Sequence, residues 1–435
     1  MSTQTAVVDA LGSSRSRRWD ALGGSGVLSA AVLTSGLLAY VFQVLCARTL
    51  GADAFGQIAV LWATLFLVTV ILFRPVEQTL SRALADRMTR GEEVRTVARA
   101  VSGLTAVVAV VLVATFALAW NTLTERLFLG NEVLTLMLAL GVVTFGASYV
   151  ARGAFGGSRW FTGYGLVLVT DAVARLLIAA PLLVVASVDL AAAALACGAV
   201  LGTLVPLFVG RHVVTRALTQ RDHGARFQLG SALRFAAPAS AIAAADQLLV
   251  NGAPILVMLE GGDDASRAAG VVFAATMLVR VPVYLFQGLA ASLLPNLTRM
   301  QATSGTGDLR RAVSRTVALL LTVGVLTVLA GASVGPSLMQ LLFGADFQVD
   351  RLSLALLGAG VGFYLGAATI SQALLALDFG ARAAIAWVSS AVLFVALFVS
   401  LPGSELGRVS AAFAIATLGG LVGLVLTLRA RLAGR

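Results

Sequence analysis

Residues 24–46 read GSGVLSAAVLTSGLLAYVFQVLC, a run without a single charge. A helix needs about 20 apolar residues to cross the hydrocarbon core of a bilayer. This run meets that length and is too long for the apolar core of a cleaved leader. Eleven further runs follow it, at roughly 56–74, 100–120, 133–151, 163–188, 191–210, 235–259, 269–294, 315–333, 352–377, 381–401 and 409–428. Backbone groups in lipid must bond within their own segment, so runs of this length are helices. The alternating pattern of a membrane barrel is absent. The reading is an all-α polytopic membrane protein with twelve transmembrane helices.

Composition agrees. Of the 435 residues, 59% are apolar and 12% charged, about half the charged share of a soluble domain. That excludes most soluble enzymes, disordered chains and fibrous repeats. The 31 cationic residues are all arginine, and the net charge is +10. Such a balance on a soluble protein would point to nucleic acid. Here the arginines lie between apolar runs and report topology instead, so no nucleic-acid partner is expected. With the N-terminus inside, the inner loops hold 23 arginines, the outer loops five (Arg48, Arg126, Arg267, Arg351 and Arg408) and the spans three. A split this uneven follows the positive-inside rule. It places both termini in the cytoplasm. The outer loops are too short to fold as a catalytic domain. The longest inner loop, about 211–234, carries both histidines, His212 and His223, read as solvated surface residues. Cys46 and Cys197 sit inside apolar runs, which argues against a disulfide or a zinc site.

Twelve spans divide as six plus six. VRTVAR at 94–99 enters span 3, and LRRAVSR at 309–315 enters span 9. LFLG at 127–130 precedes span 4, and LFG at 342–344 precedes span 10. The shared offset is about 215 residues, near half the chain. Each half has an even number of spans, so the two bundles are parallel and related by a pseudo-two-fold axis along the membrane normal. The expected organisation is a polar cytoplasmic tail (1–20), an N-terminal six-helix bundle (21–215), a cytoplasmic linker (216–234) and a C-terminal six-helix bundle (235–435). Two such bundles leave a cleft suited to alternating access.

Ionisable residues inside spans are costly, about 2.5–3.5 kcal/mol at a helix centre, and usually face a cavity or a partner. Arg74 and Glu77 flank Pro75 at the inner end of span 2, as an interfacial pair or as lining of the inner mouth. Asp171 and Arg175 are spaced i,i+4 on span 5, acid first, the better order for pairing. They read as a structural ion pair or a cation site. Asp246 lies mid-span 7 and Arg280 mid-span 8, each near prolines (Pro238 and Pro254; Pro282 and Pro295) that bend helices. Adjacent antiparallel helices could bring them together. A cavity arginine also suits bidentate phosphate recognition. Gln43, Gln247, Asn251 and Gln287 add polar positions on spans 1, 7 and 8; such side chains are most often interhelical hydrogen-bond donors, and these four are also candidate substrate-binding residues. Gly358, Gly362 and Gly366 form a smooth face for close packing on span 10. There is no P-loop, no catalytic constellation, no metal-ligand spacing and no cofactor motif. ATP hydrolysis by this chain is excluded, and the chain does not read as an enzyme.

Four stretches then resemble a known family: ARTLGADAFG (47–56), RGAFGGSRWF (152–161), AG (269–270) with RVP (280–282) and PNL (295–297), and LFGADF (342–347). They look like the polysaccharide-biosynthesis, O-antigen-type flippases of the multidrug/oligosaccharidyl-lipid/polysaccharide (MOP) exporter superfamily. Ala52 stands where that family usually has proline. The resemblance implies a flippase in the bacterial cytoplasmic membrane. Its cargo would be an oligosaccharide on a polyprenyl pyrophosphate, its surroundings membrane lipid, and its candidate partners a polysaccharide polymerase and glycosyltransferases. Arg280 would meet the pyrophosphate. Asp246 would couple a cation or balance that arginine. The uncharged span 1 argues against a peptidoglycan-precursor role. Two alternatives stand beside this reading: a cation-coupled drug or small-solute antiporter of the same superfamily, and an envelope polysaccharide polymerase.

Overall fold

The computed structural model describes residues 3–90, 95–210, 229–280, 283, 314, 316–377 and 379–433. Among these residues, regular structure is entirely helical. The first helix, Thr3–Arg90, is broken at Gly51, where φ is +76° and ψ is 172°. A side chain at that φ would be strained, so glycine carries the break. We denote the limbs before and after it α1 and α2. There follow α3 (Arg95–Leu127), α4 (Glu132–Gly157), α5 (Phe161–Ala179, running into a 3-10 turn to Leu183), α6 (Val188–Val209) and α7 (Leu229–Glu260). The remainder are α8 (Ala265–Val279), α9 (Thr316–Ser333), α10 (Arg351–Ala376), α11 (Gly380–Ser400) and α12 (Glu405–Ala433). A short helix, Gly335–Phe343, lies between α9 and α10.

Where the expected spans are described they are helices, span 8 (269–294) being described only to Arg280 and at 283, and there are three differences. The expected loop at 47–55 is one residue of non-helical backbone, and Arg48 is helical. α2 runs on to Arg90, more than three turns past Glu77. Arg74 and Glu77 thus lie within the helix, not at its end. α8 stops at Val279 with Arg280 as its C-cap, and a proline, which cannot continue a helix's hydrogen bonding, follows two residues on in the sequence. The linker around 211–228, both histidines and Gln287 lie outside the described residues.

Helix starts are set by ordinary caps. Asn131 accepts from the backbone N–H of Val133 and Leu134, Ser187 from Leu190, and Asp350 from Ser353 at 2.8 Å. Each satisfies a donor that the first turn leaves unpaired. The helices form two parallel six-helix bundles, each half of the chain packing mainly on itself. Small residues allow that packing. Gly362 faces Gly324 on α9, where an added Cβ would come within 2.8 Å of its Cα. Gly358 meets the backbone at Thr327 and Val328. The smooth face on α10 is thus a packing face against α9. Outward, α3 and α9 present mostly exposed apolar side chains such as Val110, Leu118, Leu326 and Leu329, the surface a bilayer covers.

The bundles meet at the end where α1 turns into α2. Ser266 Oγ donates to the Asp53 carbonyl at 2.7 Å. Arg48 Nε donates to the Leu342 carbonyl at 2.9 Å and its Nη2 to Leu341. Phe55 packs on Phe273 and Phe347, and Tyr40 on Phe343. The short helix, unforeseen in the sequence, supplies half of this contact. Its Gly335–Pro336 opening was a readable start signal. At the same end of the C-terminal bundle, Arg408 bonds Glu260, Nη1 to Oε1 at 2.9 Å, and covers the Phe398 ring.

Candidate functional site

The ionisable residues singled out in the sequence fall into three groups. The first is buried inside the N-terminal bundle. Arg175 Nη2 pairs with Asp171 Oδ2 at 2.6 Å. The guanidinium is enclosed by aromatic rings, 5.0 Å from Trp62, 5.7 Å from Phe42 and 6.0 Å from Phe145. Glycines 198 and 202 on α6 let the helix backbones close over Asp171. Gln43 is fully buried nearby on α1, beside Phe42. Its amide makes no hydrogen bond among the described residues. Residues of α1, α2, α4, α5 and α6 converge on this pair.

The second group joins α2, α4 and α5. Glu77 Oε2 lies 3.2 Å from Arg74 Nη1 and 3.8 Å from Arg152 Nη2, while Glu77 Oε1 accepts from Tyr164 at 2.6 Å. Arg152 lies flat over Tyr149, 3.9 Å from the ring centroid, a cation–π contact that helps hold a charge away from water. The close approach of α4 to α2 depends on Gly153, whose added Cβ would meet the Glu77 carbonyl at 2.9 Å. Glu77 is buried, but the Arg74 side chain is 40% exposed.

The third group belongs to the C-terminal bundle. Asp246 accepts from the Tyr364 hydroxyl of α10 and from Gln247 Nε2 at 3.4 Å. Gln247 Oε1 accepts from Asn251 Nδ2 at 2.7 Å, and Asn251 Oδ1 accepts from Arg280 Nη1 at 3.2 Å. The sequence allowed a direct contact between Asp246 and Arg280. The connection runs instead through the two amides, one helical turn apart on α7. Trp387 packs edge-on against Tyr364 at 5.5 Å. Arg280 also borders a narrow cavity with Leu249, Leu357, Phe394 and Phe413, with room for about one water.

The helix that carries Arg74 and Glu77 packs against α7, which carries Asp246. Arg74 of α2 and Arg280 of α8 both act electrostatically on Asp246. Asp246 and Gln247 are half-buried and Asn251 is buried. Together the second and third groups hold three guanidiniums (Arg74, Arg152, Arg280) and two carboxylates (Glu77, Asp246) among the described residues. Sequence reasoning missed Arg152, Tyr164 and Tyr364 as members. Arg152 stood in a quoted motif, and Tyr364 is a polar aromatic in a glycine-rich apolar run.

Residues 21–301 match the family described as "Polysaccharide biosynthesis protein". The chain belongs to that family. Two mycobacterial proteins resemble the chain along most of their length. The uncharacterized protein Rv3630 of Mycobacterium tuberculosis is 28% identical over 355 residues, covering 78% of this chain and 76% of that one. The uncharacterized protein Rv1510 of the same organism is 28% identical over 329 residues, covering 73% and 71%. Among solved structures, an inward-facing multidrug resistance MATE family transporter of the MOP superfamily superposes with a TM-score of 0.76 at 17% identity, over 94% of this chain and 98% of that one. A MOP superfamily transporter from Pyrococcus furiosus, described as having a binding pocket of reverse polarity, gives 0.69 at 16% identity, over 94% and 95%. The fold of the chain is thus like that of the MOP-superfamily transporters, multi-pass in the membrane, with two six-helix bundles.

Proposed function

We propose that the chain is a flippase that moves a polyprenyl-pyrophosphate-linked oligosaccharide from the inner to the outer leaflet of the bacterial cytoplasmic membrane. Both termini are cytoplasmic in this reading, and the tightly packed end at Arg48 and Ser266 is the outer one. The bundles open alternately; the sugar crosses in the polar seam while the lipid tail stays in the bilayer. The observation that carries the reading is the charge of the seam. Three guanidiniums against two carboxylates leave one positive charge over, which a bound anion would balance. Guanidinium also matches phosphate geometry bidentately. Arg280 and Arg74 are the residues assigned to the pyrophosphate, one from each bundle. Family membership supports a role in polysaccharide synthesis. Glycosyltransferases and a polymerase are the partners such a step requires.

The test is the sidedness of lipid-linked oligosaccharide in cells lacking the protein, complemented with wild type, Arg280→Ala or Asp246→Ala. Inner-leaflet accumulation that wild type clears and Arg280→Ala does not is the expected result. Unchanged sidedness with raised sensitivity to cationic drugs would replace the reading with the drug-antiporter one. The excess positive charge of the seam counts against a pocket for cations, and the transporter fold counts against a polymerase.

A further inference from the structure

The three hydrogen bonds from Arg280 to Asp246 all point one way. Arg280 N–H donates to the Asn251 carbonyl, Asn251 N–H to the Gln247 carbonyl, and Gln247 N–H to the Asp246 carboxylate. Tyr364 O–H donates to the other carboxylate oxygen. Each amide turns its oxygen toward the cation and its N–H toward the anion. The two side chains are aligned dipoles between opposite charges, and such chains reinforce one another in a low-dielectric setting.

We propose that Gln247 and Asn251 form a relay that couples anion binding at Arg280 to protonation of Asp246. The proposal rests on the reading of Arg280 as the pyrophosphate ligand and goes beyond it. With Asp246 ionised, the aligned amides hold the Arg280 guanidinium on Asn251. A proton on Asp246 removes the charge that orients Gln247. Asn251 then holds Arg280 less firmly, and the guanidinium is released to an incoming phosphate. Conversely, an anion that draws Arg280 away from Asn251 removes the polarising cation and makes Asp246 easier to protonate. The two events favour each other by the same factor, as linkage requires. The other described groups acting on Asp246 are Tyr364 of α10 and Arg74 of α2. Neither lies on the amide path, so both persist when the path is cut. The amides are positioning residues in this scheme: they act through Arg280 and Asp246 and transfer no atoms themselves.

The experiment uses the full-length protein in lipid nanodiscs, with geranylgeranyl pyrophosphate as the probe. Its Kd is measured at pH 6 and pH 8 for wild type, Asn251→Leu, Gln247→Leu and Arg280→Gln. The probe's own titration is common to all four. Wild type is expected to bind more tightly at pH 6, with a pH ratio at least about fivefold larger than in Asn251→Leu and Gln247→Leu, the lower end of usual coupling between sites. Binding should also take up protons in wild type, read from calorimetry in buffers of differing ionisation heat, and less so in the two amide variants. The same pH ratio in wild type and Gln247→Leu overturns the relay while leaving the anion site intact. Gln247 lies two hydrogen bonds from the ligand-binding arginine and does not touch it, so that variant decides the matter even if Asn251→Leu does not fold. No binding by wild type at either pH overturns the anion site and the relay together.

Discussion

Gly56 on α2 and Gly270 on α8 touch, backbone to backbone: a Cβ on Gly270 would lie 3.0 Å from the Gly56 nitrogen and 2.3 Å from the Ala52 carbonyl. Their separation, 270 − 56 = 214 residues, is the offset of the internal repeat. Repeat-related residues contact one another only where the pseudo-two-fold axis passes, so this pair marks the axis. The seal it makes leaves no space for a side chain, since a Cβ on Gly56 would lie 1.8 Å from the Ser266 carbonyl.

Gly56→Leu should therefore hold this end of the seam open. Overpacking of this kind costs about 1–3 kcal/mol, enough to shift a two-state equilibrium by about 5- to 150-fold. Spin labels on Asp53 and Asp264, both exposed, should move to longer separations, and flipping should fall while the protein stays folded. An unchanged distance distribution would show that the contact is static packing and not a gate.

The buried pair Asp171–Arg175 should behave as structure. Arg175→Ala leaves a carboxylate in an aromatic interior and is expected to cost about 3–5 kcal/mol, read as thermal unfolding in detergent. The double replacement Asp171→Leu with Arg175→Met removes both charges and should recover most of that loss. If the double variant is as unstable as the single one but each loses flipping without further loss of stability, the pair has a transport role.

Gln43 was a candidate ligand-binding residue in the sequence because a primary amide inside an apolar span usually has a purpose. Its amide is buried without a hydrogen bond among the described residues, a state that costs about 1–3 kcal/mol. Gln43→Met should be neutral or stabilising by about that amount and should leave pyrophosphate binding unchanged. A clear loss of stability would mean the amide is satisfied after all.

What the sequence disclosed and what it hid divide by range. Hydropathy and arginine placement gave twelve spans because each is a property of about 20 consecutive residues. Asp171–Arg175 and Arg74–Glu77 were readable because helical geometry puts neighbours three or four residues apart on one face. The repeat was readable as an offset, and the Gly56–Gly270 contact gives that offset a location. By contrast, Tyr364 reaches Asp246 across 118 positions, and Tyr164 reaches Glu77 across 87. No local period encodes which tyrosine meets which acid; that is decided by helix packing. The end of α2 was misjudged for a related reason. Past Arg74 the segment is polar enough to read as loop, yet Val76, Leu80 and Leu84 at four-residue spacing are buried and keep it helical.

The Glu77 cluster yields an ordered set of stabilities that bears on Arg74. Glu77→Gln removes the carboxylate shared by two guanidiniums and should be the most damaging change, toward the 3–5 kcal/mol of a broken buried pair. Tyr164→Phe deletes one hydrogen bond to that carboxylate, about 1.5–3 kcal/mol. Arg74→Gln should cost least, because its side chain is 40% exposed while that of Arg152 is 12% exposed, and exposed partners contribute about 1 kcal/mol or less. If Arg74 is the arm that reaches the substrate, Arg74→Gln should nevertheless weaken geranylgeranyl pyrophosphate binding about tenfold or more, the loss of a charged hydrogen bond. The separation of the two readouts is the test. A variant that is nearly as stable as wild type and binds poorly places Arg74 on the ligand. A variant that loses stability as Glu77→Gln does, with unaltered affinity once folded, makes Arg74 a strut of the N-terminal bundle and leaves Arg280 to meet the pyrophosphate alone.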